Sequence, residues 1–126
     1  MSAPWQAYGF VALGGGTGAV LRAVVGWIVP GSAGTLLVNV AGALLLGLVG
    51  TAVLERGQLS RPGRLVATSG LLSSFTTYST FMIETALAPG WPLLLANVAA
   101  TYGFGLGAAL AGRVLGRSLL GEVADP

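Results

Sequence analysis

The sequence predicts an all-α integral membrane protein built from four transmembrane helices. Of its 126 residues, 54% are hydrophobic and only 8% are charged, and the mean hydropathy is +0.83. A soluble domain of this size needs more charge on its surface. A membrane-spanning helix needs roughly 20 apolar residues, and four runs of this kind nearly fill the chain.

The four predicted spans follow one another with short connections and form a single domain, 1–126. They cover 7–29, 35–54, 65–87 and 92–115. Trp5 and Trp27 lie at the two ends of the first span, where interfacial aromatic residues are expected. The sequence contains no internal repeat, so we expect any larger pore to come from oligomerisation.

The absence of two residue types excludes several kinds of chemistry. The chain has neither cysteine nor histidine, so disulfides, thiol chemistry, the usual zinc sites and a histidine general base are excluded. We therefore do not expect an enzyme. The basic residues are all arginines and are separated by apolar runs, so we expect membrane lipid and no nucleic acid as a partner.

Small residues recur at intervals of four in two of the spans. Gly14 and Gly18 do so in the first span, and Ala108 and Gly112 do so in the fourth, where Gly116 continues the interval just beyond the predicted end of the span. Such faces allow helices to approach closely. The alternative explanation is that glycine is simply common in membrane helices.

Isolated polar side chains inside the spans indicate either a partner or a water-filled path, because their burial in lipid is costly. Asn39 stands in an otherwise apolar stretch, and its amide can donate two hydrogen bonds. Asn97 and Thr101 are four apart and share a helix face. Each of these residues also has a structural explanation, as a hydrogen bond to a neighbouring helix or to its own backbone.

The segment 73–81 in the third span carries seven hydroxyl side chains, counting that of Tyr78. Such density competes with helical backbone hydrogen bonds and predicts a break in the third helix near Ser73 to Thr77, close to mid-membrane. Carbonyl groups exposed at the break would suit a hard cation. Tyr78 and Phe81 are three apart and fall on one face, which predicts either an aromatic ladder or ordinary aromatic packing.

These residues belong to four motifs that, in this order, resemble the Fluc (CrcB) family of fluoride channels over nearly the whole chain. The motifs are 14–22, 34–39 with Gly42, 76–81, and Asn97 with the glycine-rich helix that follows it. The resemblance implies an antiparallel dimer with two fluoride pores and a structural sodium ion between the subunits. It also implies passive export of cytoplasmic fluoride, and hence fluoride resistance.

The resemblance assigns the fluoride pore to particular residues of this chain. Asn39 matches the family's pore asparagine, and Tyr78 and Phe81 match its two pore phenylalanines, the first of them changed here to tyrosine. The remaining hydroxyl groups that we expect in the pore belong to Ser79, Thr80 and Thr101.

The same resemblance assigns a cation site and a vestibule. The backbone carbonyls of Ser73 and Thr76 match the sodium ligands, although the family usually has glycines where Ser73 and Ser74 stand. A carbonyl is present whatever the side chain, so the site survives unless the backbone needs a glycine-only conformation. Arg22 matches the arginine of the first motif, which we place in a vestibule near the pore mouth.

Two other functions fit the size of the chain. One is a small multidrug-type transporter, a proton-coupled exchanger built around a glutamate in its first helix. Here the first span has no glutamate, and Glu84 lies near the end of the third. A structural membrane subunit would use the hydroxyl-rich segment only to pack helices.

The arginines predict how the chain lies in the plasma membrane. Both termini are expected in the cytoplasm, because that side would hold five arginines and the other side only Arg22. The five are Arg56, Arg61, Arg64, Arg113 and Arg117. An antiparallel homodimer requires one chain to insert both ways, so this bias favours pairing with a paralogous subunit. Insertion in both orientations despite the bias is the alternative.

Overall fold

A computed structural model describes residues 3–121, so the predicted domain 1–126 extends beyond the described residues at both ends. The described residues form helices and no strands. We number the helices α1 (Pro4–Ile28), α2 (Ser32–Glu55), α3 (61–75), α4 (Tyr78–Ala86) and α5 (Trp91–Leu120). The last turn of α2, Thr51–Glu55, and the middle of α3, Leu65–Leu72, have π-helical hydrogen bonding.

Three helices, α1, α2 and α5, are long and apolar enough to cross a membrane, judged by length and composition. The third predicted span is divided between α3 and α4. Many large apolar side chains point outward, among them Trp27, which is 83% exposed, and Leu119, which is 68% exposed. An apolar exterior of this extent is typical of a protein surrounded by lipid.

The helices extend beyond the apolar runs that predicted them. The first helix begins at Pro4, a residue suited to the first helical turn, and α5 continues past residue 115 to Leu120. Hydropathy marks where a helix is apolar, whereas the helix itself continues into polar surroundings. The continuation of α5 places Arg117 within hydrogen-bonding distance of Glu55 on α2.

Two pairs of helices pack closely at glycines. The first helix lies mainly on α3, and α2 lies mainly on α5. A Cβ atom at Gly18 would collide with the backbone carbonyl of Leu71, and one at Gly112 with that of Leu44. Gly14, Gly47, Gly70 and Gly116 make similar close approaches. Because lipid provides no hydrophobic force between helices, such close contact is a main source of their association.

One ion-pair cluster joins the ends of α2 and α5. The carboxylate of Glu55 accepts hydrogen bonds from Arg117 at 2.8 Å and 2.9 Å and from Arg113 Nε at 3.0 Å. Next to it, buried Thr51 donates to the carbonyl of Gly47 at 3.0 Å. The carboxyl ends of α2 and α5 and the start of α3 therefore lie at the same end of the molecule.

Candidate functional site

The backbone leaves the helical conformation between α3 and α4. Thr76 has ψ 156°, and Thr77 has φ −143° and ψ 115°, so both residues are extended. Hydroxyl groups accompany this change: Thr76 Oγ1 donates to the carbonyl of Leu72 at 3.0 Å, and Ser73 Oγ donates to that of Ser69. Bonds of this kind, from a hydroxyl to the carbonyl four residues earlier, slightly destabilise a helix and often bend it.

Asn39 on α2 holds the extended segment through two hydrogen bonds. Its Nδ2 donates to the carbonyl of Thr77 at 2.9 Å, and its Oδ1 accepts from the backbone N–H of Thr77 at 2.7 Å. An asparagine amide has two donor hydrogens, so one N–H of Asn39 remains after this pairing. Asn39 therefore both fixes the break and keeps a donor that is not used by Thr77.

The break releases the carbonyl groups of Ser73 and Thr76, among others, from helical hydrogen bonding. In an unbroken helix the N–H groups of Thr77 and Thr80 would bond to the carbonyls of Ser73 and Thr76. Instead, the N–H of Thr77 bonds to Asn39, and that of Thr80 bonds to Thr77 Oγ1 at 3.2 Å. Thr77 is thus the N-cap of α4, and the carbonyls of Ser73 and Thr76 are left without their helical donors.

An open cleft of about 650 Å³ lies beside the break, between α2, α3, α4 and α5. Among the described residues that line it, none is charged. Most of the predicted site residues meet here. They are Asn39, Ser73, Thr76, Tyr78, Phe81 and Thr101.

Aromatic rings form one wall of this cleft. Phe81 is 3% exposed and Tyr78 is 67% exposed, and their ring centroids lie 6.0 Å apart. Tyr102 on α5 meets Phe81 edge to face, with centroids 5.9 Å apart and an interplanar angle of 86°. Ring edges carry partial positive charge, so this wall can face an anion without any full charge.

A second cavity, of about 360 Å³, contains two other predicted residues, Arg22 and Thr80. It also contains Glu84, whose Oε1 accepts a hydrogen bond from Thr35 Oγ1 at 2.8 Å. The other carboxylate oxygen, Oε2, is buried and has no hydrogen-bond partner among the described residues. Thr77 lines both cavities, so the break lies where they approach each other.

The remaining predicted pore residue, Ser79, lies outside the linings of both cavities. Its side chain is exposed, and its hydroxyl is 3.4 Å from that of Thr77. The structure therefore distributes the predicted residues over one cleft, one smaller cavity and one exposed position.

Comparison with known proteins agrees with the sequence motifs. The family model described as CrcB-like protein, Camphor Resistance (CrcB), matches residues 9–113. The chain belongs to the CrcB family. It is 46% identical over 111 residues to the protein named fluoride-specific ion channel FluC 1 of Haloarcula marismortui, covering 88% of this chain and 86% of that protein. It is 43% identical over 120 residues to FluC of Deinococcus radiodurans, covering 87% and 94%.

Three further residues that build the cleft of this CrcB chain were not among the predicted site residues, although Gly42 and Thr77 lie in the predicted motifs. Thr77 supplies the backbone groups that Asn39 holds, and Tyr102 supplies the third aromatic ring. At Gly42, a Cβ atom would collide with the side chain of Thr76. A signal existed for Gly42, because it lies three residues after Asn39 and so shares its helix face.

Asn97, which the sequence placed on one face with Thr101, is used differently in this CrcB chain. Its Nδ2 donates to Thr85 Oγ1 on α4 at 2.7 Å, and Asn97 does not line the cleft, whereas Thr101 does. The two residues share a face, but only Thr101 reaches the cavity beside the break.

Proposed function

We propose that this chain is a subunit of a fluoride-selective channel that allows cytoplasmic fluoride to leave the cell passively and so confers fluoride resistance. The observation that carries the proposal is the pairing of Asn39 with Thr77 beside an uncharged cleft. Membership of a family with relatives named fluoride-specific ion channels supports the identity of the ion. As a channel, the protein makes and breaks no covalent bond.

Fluoride is small and strongly hydrated, so a pore has to replace the donors that water provides. In the cleft, the free N–H of Asn39, the hydroxyl of Thr101 and the ring edge of Phe81 can do this. Several weak neutral sites permit conduction better than one strong charged site. Tyr78 adds a further hydroxyl at the open side of the cleft.

The two cavities suggest a path for fluoride that passes through both of them and by Thr77. Arg22 and Thr80 line the smaller cavity, which serves as a vestibule, and Thr77 lies between it and the cleft. The hydroxyl of Ser79 is close enough to Thr77 to contribute a donor there. A membrane potential that is negative inside drives an anion outward with about 2.3 kcal/mol per charge per 100 mV, so no pump is required.

The release of the Ser73 and Thr76 carbonyls supports our proposal of a structural sodium ion, which these two groups would help to hold. Carbonyl oxygens are hard ligands of the kind that alkali and alkaline-earth cations take in proteins. These two carbonyls of one chain are too few to enclose an ion by themselves. A second subunit, placed antiparallel across the break, would contribute the same two groups and complete the site.

The distribution of arginines supports a fixed orientation for this subunit. Arg113 and Arg117 bond to Glu55, and the connection after Glu55 carries Arg56, Arg61 and Arg64 at the same end. Arg22 instead lines the cavity that contains Gly31, near the opposite end. With termini in the cytoplasm of a plasma-membrane protein, this bias favours an oppositely oriented paralogous partner in the antiparallel dimer.

Fluoride efflux from liposomes tests the function. Purified protein reconstituted alone, and together with a paralogous subunit, should release fluoride but not chloride when a potential is applied. Flux that requires a proton gradient would instead indicate an exchanger. The absence of fluoride flux in both preparations would indicate a structural subunit. Either of these results would overturn the proposal.

Cysteine labelling tests the orientation. The natural chain has no cysteine, so a single cysteine introduced for Gln58 reports only on the connection between α2 and α3. We expect a membrane-impermeant maleimide to leave it unlabelled in intact cells and to label it after lysis. Substantial labelling in intact cells without a partner would mean that both orientations occur and that a partner is not required.

A further inference from the structure

The short helix α4 carries Phe81 but packs only lightly on its neighbours α2 and α5. Its first end is fixed, because Thr77 caps it and Asn39 holds the backbone of Thr77. Near its other end, Glu84 Oε1 accepts a hydrogen bond from Thr35 on α2 at 2.8 Å. Both attachments join α4 to α2, so a further attachment is needed to fix the ring of Phe81 relative to α5.

The attachment to α5 is a hydrogen-bond chain that begins at Asn97. Asn97 Nδ2 donates to Thr85 Oγ1 at 2.7 Å, and Thr85 Oγ1 in turn donates to the carbonyl of Phe81 at 2.7 Å. Thr85 is 9% exposed. Because Thr85 follows Phe81 by four residues, the two share a helix face, and the bond from Asn97 acts on the face that carries the ring.

The same stretch of α5 also provides the surroundings of Phe81. One turn after Asn97, Thr101 lines the cleft. The ring of Tyr102 contacts that of Phe81, with their centroids 5.9 Å apart. Asn97 therefore holds α4 to α5, the helix whose Tyr102 contacts the ring of Phe81. A slip of α4 along α5 would break the Asn97 bond and the edge-to-face contact together.

We propose that Asn97 is a positioning residue for the fluoride path, acting through Thr85 to hold Phe81 perpendicular to Tyr102 in the cleft that Thr101 also lines. This inference rests on the proposed channel function. Asn97 would not touch the ion, since it lies outside the lining of the cleft and uses a donor on Thr85.

Four variants separate positioning from other roles. Thr85→Val keeps the shape but removes the hydroxyl, Thr85→Ser keeps the hydroxyl, and Asn97→Leu removes the donor. Ile83→Val is the matched control on α4, because Ile83 is 59% exposed. Fluoride flux per assembled protein and the fluoride-to-chloride ratio are measured for each.

We expect Thr85→Val and Asn97→Leu to lower flux by a similar factor, roughly tenfold or more, since small misplacements of a positioned group have effects of this size. The double variant should be no worse than either single change, because both break one chain of bonds. Thr85→Ser and Ile83→Val should stay near the original flux. Loss in Asn97→Leu but not in Thr85→Val would mean that Asn97 binds the ion directly, and would overturn the inference.

A second measurement reports on the ring without relying on conduction. The chain has four phenylalanines, so 4-fluorophenylalanine gives a simple ¹⁹F NMR spectrum in which Phe81→Leu identifies the signal of Phe81. That signal should move in Thr85→Val and Asn97→Leu and stay in place in Thr85→Ser. An unmoved signal, or lower thermal stability with unchanged flux and ion ratio, would overturn the positioning role. If the unaltered protein carries no fluoride, the channel proposal fails, while the NMR signal still decides whether Asn97 positions Phe81.

Discussion

The close-packed glycine contacts and the break between α3 and α4 hold the same molecule together in different ways. At the contacts, backbones meet with no room for a methyl group, as at Gly18 and Gly112. At the break, the chain is held by two side-chain hydrogen bonds from Asn39, and a cleft of about 650 Å³ remains open. This difference predicts that assembly and conduction depend on separate residues, so substitutions should affect one without the other.

The largest effect should come from filling a close contact. Gly18→Val places a branched side chain against the Leu71 carbonyl, and overpacking of a tight interior costs about 1–3 kcal/mol, occasionally more. We expect most of the assembled protein to be lost, measured by size-exclusion chromatography in detergent. Gly9→Val is the control, because a Cβ at Gly9 meets nothing within 4 Å. Equal yields of the two variants would contradict this view of the contacts.

A change at the break should spare assembly and remove function. Asn39→Leu keeps the approximate size but leaves the N–H and carbonyl of Thr77 without their partner, and unpaired buried polar groups cost about 1–3 kcal/mol each. We expect fluoride efflux from liposomes to fall to background while a folded, assembled protein is still recovered. Leu37→Val, at a position that is 48% exposed on the same helix, should conduct normally. Normal flux through Asn39→Leu would remove this residue from the pore.

A change in the aromatic wall should have a smaller effect. Phe81→Ile removes the ring that contacts both Tyr78 and Tyr102, and an aromatic pair is worth about 0.5–1.5 kcal/mol beyond its buried area. We expect efflux to be reduced rather than abolished, with poorer discrimination against chloride. Met82→Ile, on the more exposed face of α4, serves as the comparison. If the two variants conduct equally well, the rings are ordinary packing.

The smallest effect should come from the ion pairs at the ends of α2 and α5. Glu55→Gln removes the charge that Arg113 and Arg117 contact, but the side chains involved are partly exposed, and exposed ion pairs contribute little. We expect a small decrease in melting temperature at low salt that disappears at high salt, with unchanged fluoride flux. A large loss of flux would mean that this end of the molecule takes part in conduction.

The residue types predicted much of the site, but they did not predict which of its residues bond to one another. The dense hydroxyl segment predicted that the backbone would leave the helix near Ser73 to Thr77, because these side chains compete for carbonyls, and the structure has extended residues at Thr76 and Thr77. Nothing in the sequence indicated that Asn39 pairs with Thr77. Residues 38 positions apart come together only when α2 and the break are packed side by side.

The sequence alone determined the properties that depend on composition and local order. These are the apolar helices, the absence of cysteine and histidine chemistry, the biased arginines and the four ordered motifs. Only the tertiary structure decided which polar groups share a cavity. It placed Arg22 and Thr80 with Glu84 in one space and Asn39 and Phe81 in another, and it turned Asn97 from the cleft toward Thr85. The physical reason is that helix periodicity fixes which residues share a face, whereas rotation and axial shift between helices fix what each face meets.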